Sequence, residues 1–206
     1  MNLPTPKTAP SKPLELSVAA VIMLSVLAIP IHIAKIDFPL APFLKFDLCG
    51  IPLAVAGFVN LPFSVTLGLP VFYLGILLTG ATNPLSPLMK VFAEASTYIP
   101  MVYMYRYLHK RNLHTSIRTA SLLIIATAVA SRSVVMFVLN ILITPLIATL
   151  FWGAPSYTIA LQRIIIPVLH LITLFNAISA VYVSALSLPA VRILEKMGFI
   201  TRPTTT

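Results

Sequence analysis

Acidic residues and cysteine are scarce in this chain of 206 residues, which contains only five Asp and Glu and a single cysteine, Cys49. One cysteine excludes an intramolecular disulfide and a cluster of thiolate metal ligands. Five carboxylates leave little material for catalysis by paired acidic groups. Charged residues of both signs make up 9% of the chain, whereas soluble domains carry about 25%. These shortages argue against an enzyme and against a soluble domain.

Recognisable catalytic signatures are also missing. The sequence has no glycine-rich phosphate loop with a Walker lysine and no Gly-x-Ser-x-Gly nucleophile elbow. The histidines show no metal-ligand spacing with a carboxylate nearby, so neither a metal site nor a resident cofactor is expected. They are His32, His109, His114 and His170.

Apolar residues are abundant instead. Hydrophobic residues account for 58% of the chain, and the mean hydropathy is +0.97. Such a composition cannot cover a globular surface with polar groups, so the sequence predicts a protein embedded in a lipid bilayer. The net charge of +9 comes from basic residues that are too dispersed for a nucleic-acid surface. No nucleic-acid partner is expected, and membrane lipid is.

Six transmembrane helices are predicted, since a span needs about 20 apolar residues. Asn60 and Pro62 divide the second apolar stretch into two spans. Residues 35–47 carry two prolines and four charges, which predicts an irregular surface loop. Residues 1–13 and 197–206 are expected to be a flexible cytoplasmic N-terminus and a flexible tail around a single domain, 14–196. The predicted spans are 16–34, two within 48–79, 88–108, 117–150 and 159–194, with Pro167 and Pro189 expected to kink or shorten the last.

The basic residues predict the orientation of these spans through the positive-inside rule. With the N-terminus in the cytoplasm, nine basic residues lie inside and four lie outside, where three acidic residues offset most of them. The inner residues are Lys7, Lys12, Arg106, Lys110, Arg111, Arg118, Arg192, Lys196 and Arg202, and the outer ones are Lys35, Lys45, Lys90 and Arg163. The fold class is therefore an all-α membrane protein with six transmembrane helices, N-in and C-in.

Polar side chains at membrane depth are costly, so each is a functional candidate. Lys90 and Glu94 are four residues apart on one helix face, where they either neutralise each other or line an outward cavity. Arg132 can snorkel, pair with Glu94 or bond helix-end carbonyls. Asn140 and Asn176 can read the edge of a flat heterocycle through their amide donors and acceptors. They can equally hold helices together.

Three stretches carry a family resemblance. Residues 38–52, Phe-Pro-Leu-Ala-Pro-Phe-Leu-Lys-Phe-Asp-Leu-Cys-Gly-Ile-Pro, resemble the loop between spans one and two of the S components of energy-coupling factor (ECF) vitamin transporters. The riboflavin-specific S component is the most similar. Residues 134–140, Val-Val-Met-Phe-Val-Leu-Asn, resemble its fifth span, and residues 174–178, Leu-Phe-Asn-Ala-Ile, resemble the start of its last span. The order of these stretches and the six spans fit an S-component-like bundle.

The resemblance implies a function. S components bind a vitamin at the outer face of the membrane, and a transmembrane T subunit with two ATP-binding-cassette ATPases drives uptake. In the riboflavin-specific family, the positions of Asn140 and Asn176 contact the isoalloxazine ring, and the position of Ser179 contributes where it carries Lys or Gln. The first loop closes over the ligand, which implicates Phe43, Leu44 and Lys45. Riboflavin would then be a transported ligand rather than a cofactor.

Aromatic side chains can stack on a flat amphipathic ligand or simply pack in the core. The aromatic candidates are Phe43, Phe46, Tyr98 and Phe175. Glu94 is a further candidate because it can line an outward cavity. Two other functions stay open: an S component for another vitamin, such as thiamine or a pterin-like compound, and a membrane scaffold protein without a small-molecule ligand.

Overall fold

The computed structural model describes residues 14–111 and 116–200, so the predictions for 1–13, for 201–206 and for His114 lie outside the described residues. Within these ranges the chain forms six helices and one β-hairpin. The elements are α1 (Leu14–Ile33), β1 (Ile36–Phe38), β2 (Ala41–Phe46), α2 (Gly50–Val59), α3 (Leu61–Leu78), α4 (Leu85–Lys110), α5 (Ile117–Phe151) and α6 (Tyr157–Lys196).

Four of these helices, α1, α3, α5 and α6, are long and apolar enough to cross a membrane. Helix α4 is also long enough, at 26 residues, but it carries the charged residues predicted for the fourth span. Helix α2 has ten residues and therefore extends only about 15 Å, half of the hydrocarbon thickness. All but two of its residues are buried. The six-helix architecture is confirmed, with the second helix a short central one.

Helix boundaries follow the predicted breaks. The Asn60 side chain accepts a hydrogen bond from the Phe63 backbone N–H at 3.2 Å and so caps α3. Pro62 is tolerated in this first turn because its missing N–H would have had no helical partner. In α6, a π-helical turn over Ala160–Ile165 precedes Pro167, and the helix then continues through Pro189.

The segment predicted as an irregular loop is instead a hairpin. Ile36 lies opposite Phe46 and Asp37 opposite Lys45, with a register irregularity before Phe38. Prolines obscured this structure in the sequence. Pro39 falls between the strands, and Pro42 lies in a two-stranded sheet where every strand is an edge, so that a missing N–H is tolerated.

Two of the long apolar helices pack directly against each other. Helices α1 and α3 run parallel and in close contact, since a Cβ on Gly68 would lie 2.7 Å from Ser25 Oγ, and one on Gly75 would lie 2.1 Å from Ile29 Cδ1.

The two ends of the bundle carry different residues. The hairpin and the start of α4 lie at one end. The opposite end carries the described termini and the exposed basic residues Arg106, Lys110, Arg111, Arg118, Arg192 and Lys196. Their clustering agrees with the predicted topology, and the N-in, C-in orientation stays a prediction.

Candidate functional site

A cavity of about 550 Å³ lies at the hairpin end of the bundle. Twelve of its 22 lining residues are apolar, most of them on α4, α5 and α6, and ten are polar or charged. An apolar wall in which polar groups are placed is typical of a small-molecule site. The lining residues are His32, Lys35, Phe43, Leu44, Lys45, Asp47, Ser86, Met89, Lys90, Ala93, Arg132, Met136, Asn140, Thr144, Ile147, Trp152, Ile164, Ile165, Val168, Ile172, Phe175 and Asn176.

A network of buried charges supports one side of the cavity. Glu94 Oε1 lies 2.7 Å from Lys90 Nζ and 3.3 Å from Arg132 Nη1. The side chains of Glu94 and Arg132 are each only 2% exposed, so each charge depends on its partners for stabilisation. Both pairings considered from the sequence are therefore present. Among the described residues, Glu94 Oε2 has no hydrogen-bond partner, and it faces Gly50, where an added Cβ would lie 2.2 Å away.

Asn176 is oriented by this network. Its Oδ1 accepts a hydrogen bond from Arg132 Nε at 3.1 Å, and its Nδ2 donates to the Ile172 carbonyl at 2.8 Å. Arg132 also donates to Thr97 Oγ1 at 3.1 Å. Asn176 therefore links α5 to α6 and lines the cavity at the same time. Asn176 can therefore hold two helices together and still present its carboxamide to a ligand, the two roles that the sequence left open.

In the described part of the chain, Asn140 has only local partners. Its Nδ2 donates to the Met136 carbonyl at 2.7 Å, and its Oδ1 accepts from Thr144 Oγ1 at 2.9 Å. Both partners belong to α5, so these bonds hold the carboxamide within its own helix rather than joining two helices. Like Asn176, Asn140 lines the cavity, and each amide nitrogen has a second hydrogen that these bonds do not use.

Asp47 joins the hairpin to three helices, α1, α4 and α6. Its Oδ2 lies 2.9 Å from His32 Nδ1, while its Oδ1 lies 3.0 Å from Lys90 Nζ and accepts from the Cys49 backbone N–H at 3.2 Å. The Asp47 carbonyl accepts from the Tyr182 hydroxyl at 2.6 Å. Burial by itself raises the pKa of Asp47, but the Lys90 ammonium and the hydrogen bonds from His32 and Cys49 outweigh it and hold that pKa well below its usual range. Asp47 is therefore ionised at neutral pH.

Aromatic stacking holds the hairpin over the cavity. The rings of Phe46 and Phe175 stack with centroids 4.8 Å apart, and Phe38 contacts Phe46 edge-on at 5.2 Å. Phe43 is 60% exposed, although it lines the cavity together with Leu44 and Lys45. The hairpin thus supplies both the contact to α6 and the three residues implicated in closure.

Four predicted candidates do not line the cavity, and one of them is Phe46, which stacks on Phe175. Tyr98 is 1% exposed, and its phenol oxygen accepts from Ser64 Oγ at 3.2 Å, which places it in the core. Ser179 is fully buried, and its hydroxyl has no partner within the described part of the chain. Glu94 lies behind Lys90 and Arg132 rather than on the wall.

Sequence reasoning did not single out the lining residue His32 or its pairing with Asp47. These residues are 15 positions apart, so spacing within one helix could not reveal the pair. The available signal was an ionisable residue near each end of the predicted loop 35–47. The donor atoms of His32, Asp47 and Cys49 all lie within 4.8 Å of one another.

Together, the apolar helices and the cavity define a multi-pass membrane protein with a pocket of small-molecule size. No family model matches the chain, and no curated protein matches it. A solved structure of the S component of a bacterial ECF transporter is similar, with a TM-score of 0.67 and 20% sequence identity. The match covers 90% of this chain and 98% of that one. The chain therefore has the fold of an ECF S component.

Proposed function

We propose that this protein is the substrate-binding S component of an ECF-type importer. Its cavity would bind a vitamin at the outer face of the cell membrane, and a T subunit with two ATP-binding-cassette ATPases would drive uptake. The observation that carries this proposal is a cavity of about 550 Å³ at one end of an S-component fold. Small-molecule sites typically measure about 300–1,000 Å³.

Riboflavin is the ligand we propose for this cavity. It is flat and amphipathic, and it would need an apolar slot with a few placed polar groups. Apolar walls such as Met136 and Ile172 and the carboxamides of Asn140 and Asn176 meet in the same cavity. The support is this chemistry together with the resemblance of the sequence to riboflavin-specific members.

Riboflavin fluorescence tests the proposal directly. Titrating the detergent-purified protein into riboflavin should quench the fluorescence saturably, because the ring enters a stacked, apolar environment. Replacing both Asn140 and Asn176 by alanine should weaken binding at least about tenfold, since one lost hydrogen bond near 1.4 kcal/mol already changes affinity tenfold. Gln162→Ala is the matched control, because Gln162 is an exposed carboxamide of α6 outside the cavity lining.

Other results would redirect the assignment. If riboflavin fluorescence is not quenched but the protein binds thiamine or a pterin, the S-component function is retained and riboflavin is rejected as the ligand. No binding of any of these vitamins, with uptake unaffected by the double variant, would favour a membrane scaffold instead.

A further inference from the structure

We propose that His32, Asp47 and Cys49 form a binding site for one divalent transition-metal ion of the Zn²⁺ type. The three side chains come from the last turn of α1, the end of the hairpin and the residue preceding α2. Their donor atoms are an imidazole nitrogen, a carboxylate oxygen and a thiol sulfur, all within 4.8 Å of one another. This combination of borderline and soft donors suits zinc.

The spacing is close to that required for coordination. Around a tetrahedral zinc ion with bonds of 2.0–2.3 Å, two donor atoms lie about 3.4–3.6 Å apart. His32 Nδ1 and Asp47 Oδ2 are already 2.9 Å apart, so the ion would separate them slightly. The Cys49 sulfur lies within 4.8 Å of the other two donors, so it would approach them by up to about 1.2 Å to reach this spacing.

The neighbouring ammonium group does not occupy the proposed position. Lys90 Nζ lies 3.0 Å from Oδ1 of Asp47, whereas His32 faces Oδ2. An ion bound between Oδ2 and Nδ1 leaves Oδ1 with Lys90 and the Cys49 backbone N–H as outer partners. Such outer hydrogen bonds orient metal ligands in known sites. Lys90 also keeps its contact with Glu94 at 2.7 Å.

The protons displaced by the metal ion are accounted for, and the ion has a route into the site. Coordination by Cys49 releases the thiol proton to solvent, and the Nδ1 proton that bonds to Asp47 leaves that nitrogen, so that neutral His32 coordinates through Nδ1 with its one proton on Nε2. Because His32 and Asp47 line the cavity, an ion can enter from that side. The cavity also supplies the fourth position, which stays open to water or to a ligand atom. The bound ion would fasten the hairpin base to α1 and α2.

Cobalt substitution gives a specific readout, since a thiolate bound to Co²⁺ produces a charge-transfer absorption in the near ultraviolet. Cys49 is the single cysteine of the chain, so in a tag-free preparation this band can arise only from the proposed site. We expect the band to saturate at one equivalent of Co²⁺ and to disappear when Zn²⁺ is added. Zn²⁺ should also raise the thermal unfolding midpoint.

Variants separate coordination from general stability. Cys49→Ser should lose the band, and His32→Gln should weaken cobalt binding by roughly 10–100-fold, a loss that even removal of an outer partner can cause. The exposed His170 is the control, and His170→Gln should leave the titration unchanged. In the wild-type protein, no band at one equivalent of Co²⁺ overturns the proposal. A band that His32→Gln leaves at full affinity overturns it as well. The wild-type titration decides the question even where a variant fails to fold.

Discussion

Arg132 offers the sharpest test of the buried charge network. Its guanidinium donates three hydrogen bonds, to Glu94, Thr97 and Asn176. Hydrogen bonds to charged groups contribute about 1.5–3 kcal/mol each. Removing one partner of a buried ion pair costs about 3–5 kcal/mol. We therefore expect Arg132→Met, which keeps a long unbranched side chain but removes the guanidinium, to lower the free energy of unfolding by about 3–5 kcal/mol.

Thermal unfolding of the detergent-purified protein measures this effect. In a chain of this size, 1 kcal/mol corresponds to about 2–4 °C, so the unfolding midpoint should fall by roughly 6–20 °C. Arg163→Met is the control, because Arg163 is exposed on α6 and surface substitutions usually change stability by less than about 0.5 kcal/mol.

A double-mutant cycle with Glu94→Gln isolates the electrostatic part of the loss. Because Glu94 keeps Lys90 as a partner at 2.7 Å, its charge is not left fully uncompensated. The double variant should be more stable than the two single effects predict when added. Strictly additive losses, or an Arg132→Met midpoint within 2 °C (roughly the 1 kcal/mol scale) of wild type, would refute the account of Arg132 as the centre of the network.

Three further predictions concern the contacts around the cavity. Gly50→Ala would place a Cβ 2.2 Å from Glu94 Oε2 and should destabilise the fold by about 1–3 kcal/mol, measured by thermal unfolding. The lowered pKa of Asp47 stabilises the fold above the unfolded-state pKa of about 4. That stability should fall as the pH drops below this value, and the midpoint of Asp47→Asn should show a smaller decline; an identical pH profile would contradict the assignment. Phe175→Ala removes the ring that stacks on Phe46 at 4.8 Å, so hydrogen exchange in the hairpin should accelerate while α2 stays protected.

Much of the fold was predictable because the membrane imposes simple rules. Apolar runs of sufficient length, separated by turn residues such as Asn60 and Pro62, predicted six helices, and six were found. The asymmetric distribution of basic residues placed Arg106 and Arg192 at one end of the bundle, and the structure clusters them there. These features depend on local composition, which a sequence displays directly.

The hairpin was not predictable in the same way. Pro39 and Pro42 are typical of irregular structure, and no alternation of apolar residues indicates a strand. The strands form because two rings of the hairpin, Phe38 and Phe46, pack against Phe175 of α6. Tertiary packing therefore decided the secondary structure of this segment.

Some residues of the candidate site were likewise predictable from the sequence and others were not. Asn140 and Asn176 were singled out as polar residues at membrane depth and Lys45 through the family resemblance of the first loop, and all three line the cavity. Tyr98 was a candidate for aromatic stacking but packs in the core, where its hydroxyl accepts a hydrogen bond from Ser64. Sequence position alone could not separate these outcomes.

Composition is enough to identify a basic, multi-pass membrane protein, because too few charged residues exist to cover a soluble surface. The sequence also indicates which polar groups lie at membrane depth. Which of those groups meet depends on how the helices pack. His32, Asp47 and Cys49 converge because α1, the hairpin and α2 pack at one end of the bundle. A contact between different helices depends on that packing, and no periodicity of the sequence indicates it.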